Sequence, residues 1–231
     1  MIFYAGIGSR KAPEHILKFM RGMGRVLASA GLVLRSGHSP GSDVAFEEGH
    51  SAAGGRMEIY LPWRRFNGSS SALYGMEKLA EAGAVAGEHH PGWTKMSNGA
   101  KMCIARNVFQ VMGRGLDSPS AFVVGWSGGK GGTEFTFCLA DSMNIPVVRL
   151  EEYQKLNLPN TVINDDELSG WVRCMTDKAL ALAGFLSGGC VEGMSPGEMD
   201  IERRSYVEEF FWNAAESWPA IHHHSVSMTI G

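Results

Sequence analysis

Three glycine-dense segments each follow a short apolar run and open what reads as a helix: "AGIGSRKAP" from Ala5, "SGHSPGSDVAFEEG" from Ser36, and "GWSGGKGGTEFTFCLA" from Gly125. Such turns bring bare backbone N–H groups up to an anion at a helix N-terminus, the usual way of holding a phosphate. In the third segment the groups concerned are Gly131, Gly132 and Thr133. In the first, Ser9 and Arg10 sit at the helix mouth, to touch a single phosphate or to serve only a tight turn. Gly6 and Gly8 resemble the start of a dinucleotide fingerprint, but Lys11 stands where its third glycine belongs. Arg35 and Ser36 end the second apolar run, where a ribose-binding acid is expected. A nicotinamide dinucleotide is therefore disfavoured.

Two charged residues sharpen the chemistry. Glu134 follows Thr133 directly and would repel a phosphate held by the same turn. Either it faces a ribose and stabilises an oxocarbenium-like centre during N-glycosidic cleavage, or it merely complements the helix dipole, worth ~0.3–1 kcal/mol. Arg106 lies in "SNGAKMCIARNVFQVMGRG", where Ile104, Val108 and Val111 form one stripe while Met102 and Phe109 lie opposite. A helix apolar nearly all round is buried, and a buried guanidinium left unpaired costs about 3–5 kcal/mol. Its partner is expected to be a structural carboxylate or a ligand phosphate. In the second segment Ser42 or Asp43 can cap the following helix. Asp43 and Glu47 share a helical face, with Glu47 expected at the surface.

These residues need a scaffold that brings three turns together. Apolar runs at 2–5, 32–34, 57–61, 122–125 and 146–150 alternate with helical patterns near 13–30, 42–53, 70–83, 97–114 and 133–143. That alternation predicts an α/β fold with a doubly wound, mostly parallel, Rossmann-like sheet, whose ligands bind beyond the carboxyl ends of the strands. Residues 1–150 are expected to form this nucleotide-binding domain. Residues 151–231 are expected to be an acidic helical extension, with helices near 166–186 and 199–217. The triple histidine His222–His224 reads as a surface tail, and no metal site or cofactor is expected.

Net charge divides unevenly: residues 1–150 carry +5 and residues 151–231 carry −8. A basic body with an acidic tail points to an anionic ligand on the body. The extension is expected to pack near the basic face, restraining access or supporting homo-oligomerisation, with Phe210, Phe211 and Trp218 as anchors; the alternative is a helix buried on the sheet core as a packing layer of the same domain. Four cysteines without a C-x-x-C pair read as reduced thiols. No run is long enough to cross a membrane, and the first residues read as a strand rather than a secretion signal. A cytoplasmic location with no membrane partner is the expectation.

Six segments, "YAGIGSRKAPEHI", "LRSGHSPGSDVAFEEGH", "EIYLPW", "ARNVFQVMG", "AFVVGWSGGKGGTEFTFCLA" and "IPVVRL", together resemble the Rossmann-like SLOG superfamily. In order and spacing they look closest to the DNA-processing protein A branch, particularly its small phage-borne relatives. "GGKGGTEF" is partly similar to the "PGGxGTxxE" of the Lonely Guy phosphoribohydrolases, whose glutamate comes two residues later than Glu134. The resemblance implies a nucleotide-type ligand with phosphate contacts at Ser9, Arg10, Ser36, Gly37, Arg106, Gly131, Gly132 and Thr133, beside Gly8 and Asp43. Three functions follow as expectations. The first is binding of a nucleotide or nucleotide-derived phosphate. The second is single-stranded DNA binding like that of DNA-processing protein A. The third is N-glycosidic hydrolysis of a nucleoside 5′-monophosphate, with Arg106 and Glu134 as the catalytic pair.

Overall fold

A computed structural model describes residues 1–153, 165–188 and 194–219; the triple histidine and Cys190 lie outside them. Five parallel strands, β1 (Phe3–Gly8), β2 (Val33–Ser36), β3 (Met57–Ile59), β4 (Val123–Trp126) and β5 (Val147–Arg149), form one sheet in the order β3-β2-β1-β4-β5. The chain is thus a doubly wound α/β fold of Rossmann-like type with a C-terminal helical extension. The central strand β1 pairs with β2 through Ala5 opposite Arg35, and with β4 through Ala5 opposite Val123. Because it is covered on both faces, β1 is apolar on both.

Side-chain alternation splits the core in two. Tyr4, Leu34, Val124 and Val148 point to one face, packed by α1 (Glu14–Ser29), α2 (Ser42–Ala52), α6 (Asp165–Ser187) and α7 (Pro196–Glu216). Ala5, Ile7, Val123 and Val147 point to the other, packed by α3 (Leu79–His89), α4 (Asn98–Met112) and α5 (Gly132–Ser142). The period-two switch between adjacent residues is what assigns each helix its layer.

One helix lies later than its sequence pattern places it. Helical periodicity points to residues 70–83, yet α3 spans Leu79–His89. The Ser71 hydroxyl donates to the Ile59 carbonyl at 2.6 Å, Leu61 N–H donates to the Leu73 carbonyl at 2.8 Å, and Gly75 turns at φ +55. Residues 71–75 therefore extend the edge of β3, and the helix starts after them.

The C-terminal helices form a layer over α1. Trp171 and Trp218 meet edge to face at 4.6 Å, both against Phe19, and Phe211 meets Phe122 at 5.6 Å. Trp171 Nε1 donates to the Ala214 carbonyl at 3.3 Å, joining α6 to α7. Phe210, Phe211 and Trp218 are buried anchors, but their bed is the α1 side of the core. The wall of the crevice described below takes no residue from α6 or α7. The expectation that the extension covers the basic face is corrected accordingly: its aromatic residues find more apolar area on α1 than a charged rim offers.

Phe211→Ala removes a fully buried ring from this junction. It should cost about 3–5 kcal/mol in a urea titration, with the transition remaining single. A change below 1 kcal/mol would show that α7 contributes little to the core.

Candidate functional site

The order in which strands are added to the sheet reverses between β1 and β4, and loops leaving neighbouring strand ends there splay apart into a crevice. A cavity of about 440 Å³ occupies that place. Its walls come from the β1–α1 loop (Gly8, Ser9, Arg10, Lys11), from α4, and from the turn into α5 (Lys130, Gly132, Thr133).

The turn into α5 presents backbone donors. Gly131, at φ +84, takes a left-handed conformation that favours glycine, and no side chain caps the helix. Ser97 caps α4, and Ser195 with Glu198 forms a capping box on α7, whereas α1, α2 and α3 share with α5 the lack of a side-chain cap. The first N–H groups of α5 thus have no intrahelical acceptor and no side-chain cap, and they face the same mouth as Lys130. Arg10, Lys11 and Lys130 are exposed there, and none forms an ion pair among the described residues.

Arg106 is 5% exposed and lies in the cavity wall. Nη1 donates to the carbonyls of Gly37 and, at 3.3 Å, Tyr60; Nη2 donates to Ser39 Oγ at 3.3 Å, and Nε to Asn107 Oδ1 at 2.9 Å. Four of its five N–H groups are occupied by neutral protein oxygens, leaving one for a ligand. A Cβ at residue 37 would collide with the guanidinium, so Gly37 is the residue that admits it. Of the two expected partners, a structural carboxylate or a ligand phosphate, no carboxylate bonds the guanidinium among the described residues; carbonyls that the ends of β2 and β3 expose take its place. Burial draws the Arg106 pKa below its usual value, and the nearby Asp43 opposes that.

Asp43 is also buried in the cavity wall. It caps nothing on its own helix: Gly8 N–H donates to Oδ1 at 3.1 Å and Ser39 N–H to Oδ2 at 3.3 Å. It therefore fastens the β1 turn to the β2 turn. Glu47, expected at the surface, is buried; it accepts from Ser36 Oγ at 2.6 Å, from His38 N–H at 3.0 Å, and lies 2.6 Å from His38 Nδ1. Helix α2 packs so closely on β1 and β2 that two of its three carboxylates turn inward, while Glu48 stays exposed and pairs with Arg21.

The structure brings Gly8, Ser9, Arg10, Asp43, Arg106, Gly132 and Thr133 to one cavity. Ser36 and Gly37 lie behind its wall, bonded to Glu47 and Arg106, and Gly131 sits between two lining residues. Glu134 is not in the wall. Its carboxylate receives Arg149 Nη1 at 3.0 and 3.2 Å and Ser127 Oγ at 2.9 Å. Gln110 escaped the sequence reading altogether. It lines the cavity, is 1% exposed, and its Nε2 is a buried donor without a partner among the described residues. An unmet buried donor costs about 1–3 kcal/mol, and only its place on α4, one turn past Arg106, could have marked it.

No family model matches the sequence, and no curated protein matches it. A solved structure does. DNA processing protein A from Helicobacter pylori, described for its single-stranded DNA binding mode, superposes with a TM-score of 0.44 at 16% identity. The match covers 76% of this chain and 80% of that one.

Two predictions follow from this geometry. Burial pushes the Asp43 carboxyl up to about 6. A raised acid favours the folded state fully below its unfolded value near 4, and that contribution is lost as pH rises through 6. Carbon-detected NMR should show one carboxyl titrating near pH 6 that disappears in Asp43→Asn; titration near 4 would refute the burial. Glu134→Gln should leave phosphate binding unchanged and cost about 0–1 kcal/mol, because its ion pair is partly exposed. Isothermal titration beside urea unfolding measures both.

Proposed function

We propose that this chain binds a nucleotide or nucleotide-derived phosphate ligand in the crevice between β1 and β4. The phosphate would lie on the α5 N-terminus with Arg10, Lys11 and Lys130 around it. The remainder would run along Ile7, Ala100 and Ile104 towards Gln110. The observation that carries the reading is the pairing of an uncapped helix start with an unpartnered buried amide in one cavity. A ligand with an anionic end and a hydrogen-bond acceptor further along satisfies both. The volume falls within the roughly 300–1,000 Å³ of small-molecule sites. The SLOG resemblance of the sequence points the same way.

A thermal-shift panel of nucleotides, nucleotide sugars and cyclic or linear signalling nucleotides tests this. A true ligand at about a hundredfold its Kd adds about 2.7 kcal/mol of stability, and a panel without any shift overturns the reading. Gln110→Met keeps the side-chain volume and removes the unmet donor. It should leave the free protein as stable or more stable, while weakening the ligand that the panel finds. Equal binding by Gln110→Met would place the ligand elsewhere.

The +5 charge of residues 1–150 favours single-stranded DNA as a second reading. Its affinity would fall with salt at a log–log slope of roughly −0.7 per neutralised phosphate, and no binding at low salt excludes it. For N-glycosidic cleavage, the carboxylate in the cavity wall is Asp43, since Glu134 is engaged by Arg149. Chromatographic release of free base from nucleoside monophosphates, compared between wild type and Asp43→Asn, is the assay.

A further inference from the structure

The wall of the crevice also holds a thiol. Cys103 lines the cavity from α4, one turn before Arg106 and Asn107 and two turns before Gln110. Residues at that spacing share one side of a helix. Cys103 is half-buried, whereas Cys138 and Cys174 are exposed, so exposure alone ranks it behind both as a site of modification. Charge ranks the three the other way. On α5, Glu134 and Asp141 flank Cys138 at i−4 and i+3, and on α6 Cys174 shares a shallow pocket with Asp166, Asp177 and a single arginine, Arg173. Cys103 instead shares its cavity with Arg10, Lys11, Lys130 and Arg106. The one carboxylate in that wall among the described residues is Asp43, already engaged by the Gly8 and Ser39 N–H groups. The thiol is close enough to act on Arg106: burial lowers the guanidinium's pKa, while Asp43 and then an ionised Cys103 oppose that.

Gln110 points to what such a thiol would carry. Its buried Nε2 has no acceptor among the described residues and belongs to the same wall. Seven residues of helix set Gln110 about 10.5 Å beyond Cys103. A disulfide spans about 5.5–6 Å between Cα atoms, and one further extended residue adds about 3.5 Å. The arm of a peptide-like thiol joined to Cys103 therefore brings a carbonyl oxygen within reach of the Gln110 amide. Carboxylates on the same molecule would meet Arg10 and Lys130 at the rim. A neutral thiol gains neither set of charges, and a bare inorganic anion cannot reach Gln110 while staying attached to sulfur.

We propose that Cys103 is a thiol–disulfide exchange site, selective for a small, anionic, peptide-like disulfide that the basic crevice draws in. The Cys103 thiolate attacks one sulfur of that disulfide; a bond forms to Cys103 Sγ as the original S–S bond breaks. The other half leaves as a thiolate and takes up a proton equivalent to the one Cys103 released to solvent. Cys103 is thereby oxidised to a mixed disulfide and the departing thiol is the reduced product. An excess of reduced thiol runs the exchange backwards. The adduct fills the crevice and so excludes a phosphate ligand. That consequence rests on the nucleotide reading; the exchange itself does not.

The test treats the full chain with glutathione disulfide, the dianionic aromatic disulfide dithiobis(nitrobenzoate) and neutral dithiodipyridine, and follows each cysteine by peptide mass spectrometry. Cys103 should react with the two anionic disulfides at least ~10-fold faster than Cys138 or Cys174, the lower end of what a cleft of one sign supplies. With dithiodipyridine the exposed pair should lead. Arg10→Gln/Lys130→Gln and raised salt should each remove most of the preference. Gln110→Met should shift the glutathione exchange equilibrium about 2- to 10-fold towards the free thiol, the worth of one hydrogen bond. The leading readouts use the wild-type chain, so none depends on a Cys103 variant folding. A reaction order that follows exposure with every reagent overturns the proposal. So does a Cys103 preference that survives in Arg10→Gln/Lys130→Gln, or a glutathione equilibrium untouched by Gln110→Met. If Cys103 exchanges as stated and no nucleotide shifts the melting temperature of the unmodified protein, the thiol site stands and the nucleotide reading falls. If a nucleotide stabilises the protein while Cys103 stays the slowest of the three thiols, the nucleotide reading stands and the exchange site falls.

Discussion

A single guanidinium holds the site together. Arg106 rises from α4 into a socket built from the carbonyls of Gly37 and Tyr60, the Ser39 hydroxyl and the Asn107 amide. These groups belong to the turns that leave β2 and β3 and to α4 itself. Three elements that would otherwise end in separate loops are thus fixed to one rigid, planar group. Burial makes the arrangement obligatory, because a desolvated cation cannot release its acceptors to water without a large loss. The socket excludes any side chain at residue 37, so the glycine there answers to Arg106.

Around that joint the charges are sorted by depth. Carboxylates occupy the inner layer: Asp43 joins the first two turns, and Glu47 secures Ser36 and His38. Unpaired cations occupy the rim, where Arg10, Lys11 and Lys130 reach water. The inner acids keep the loops in register, and the outer bases set the sign that an approaching ligand meets. Glu134 belongs to neither layer. It points back to Arg149 at the end of β5 and stays out of the cavity wall.

The scaffold was legible in the sequence because it rests on periodicity. Alternating strand and helix runs placed β1 to β5 and six of the seven α-helices among the described residues, and the all-round apolar pattern of α4 showed that Arg106 would be buried. The displaced α3 was not legible, because residues 71–75 pair with the β3 edge through Ser71 and Leu73, a tertiary contact that propensity does not encode. The glycine turns marked the crevice, but Ser36 and Gly37 sit behind its wall, since type and spacing do not tell a loop's inner side from its outer. The burial of Glu47 is not legible either, because it depends on how closely α2 approaches the sheet. Gln110 is silent in any sequence pattern: only the surrounding cavity shows that its amide has no partner.

The aromatic junction under the C-terminal helices bears on how the molecule is made. Phe19 waits in α1 for Trp218, about 200 residues later. At a synthesis rate of roughly 5–20 residues per second, that interval is on the order of 10–40 s. The sheet and its first five helices can assemble in that time, since their pairings lie within residues 1–150. Meanwhile the outer face of α1 remains uncovered on the nascent chain, an apolar surface of the kind chaperones engage. Among the described elements, α7 is made last, and it closes the core.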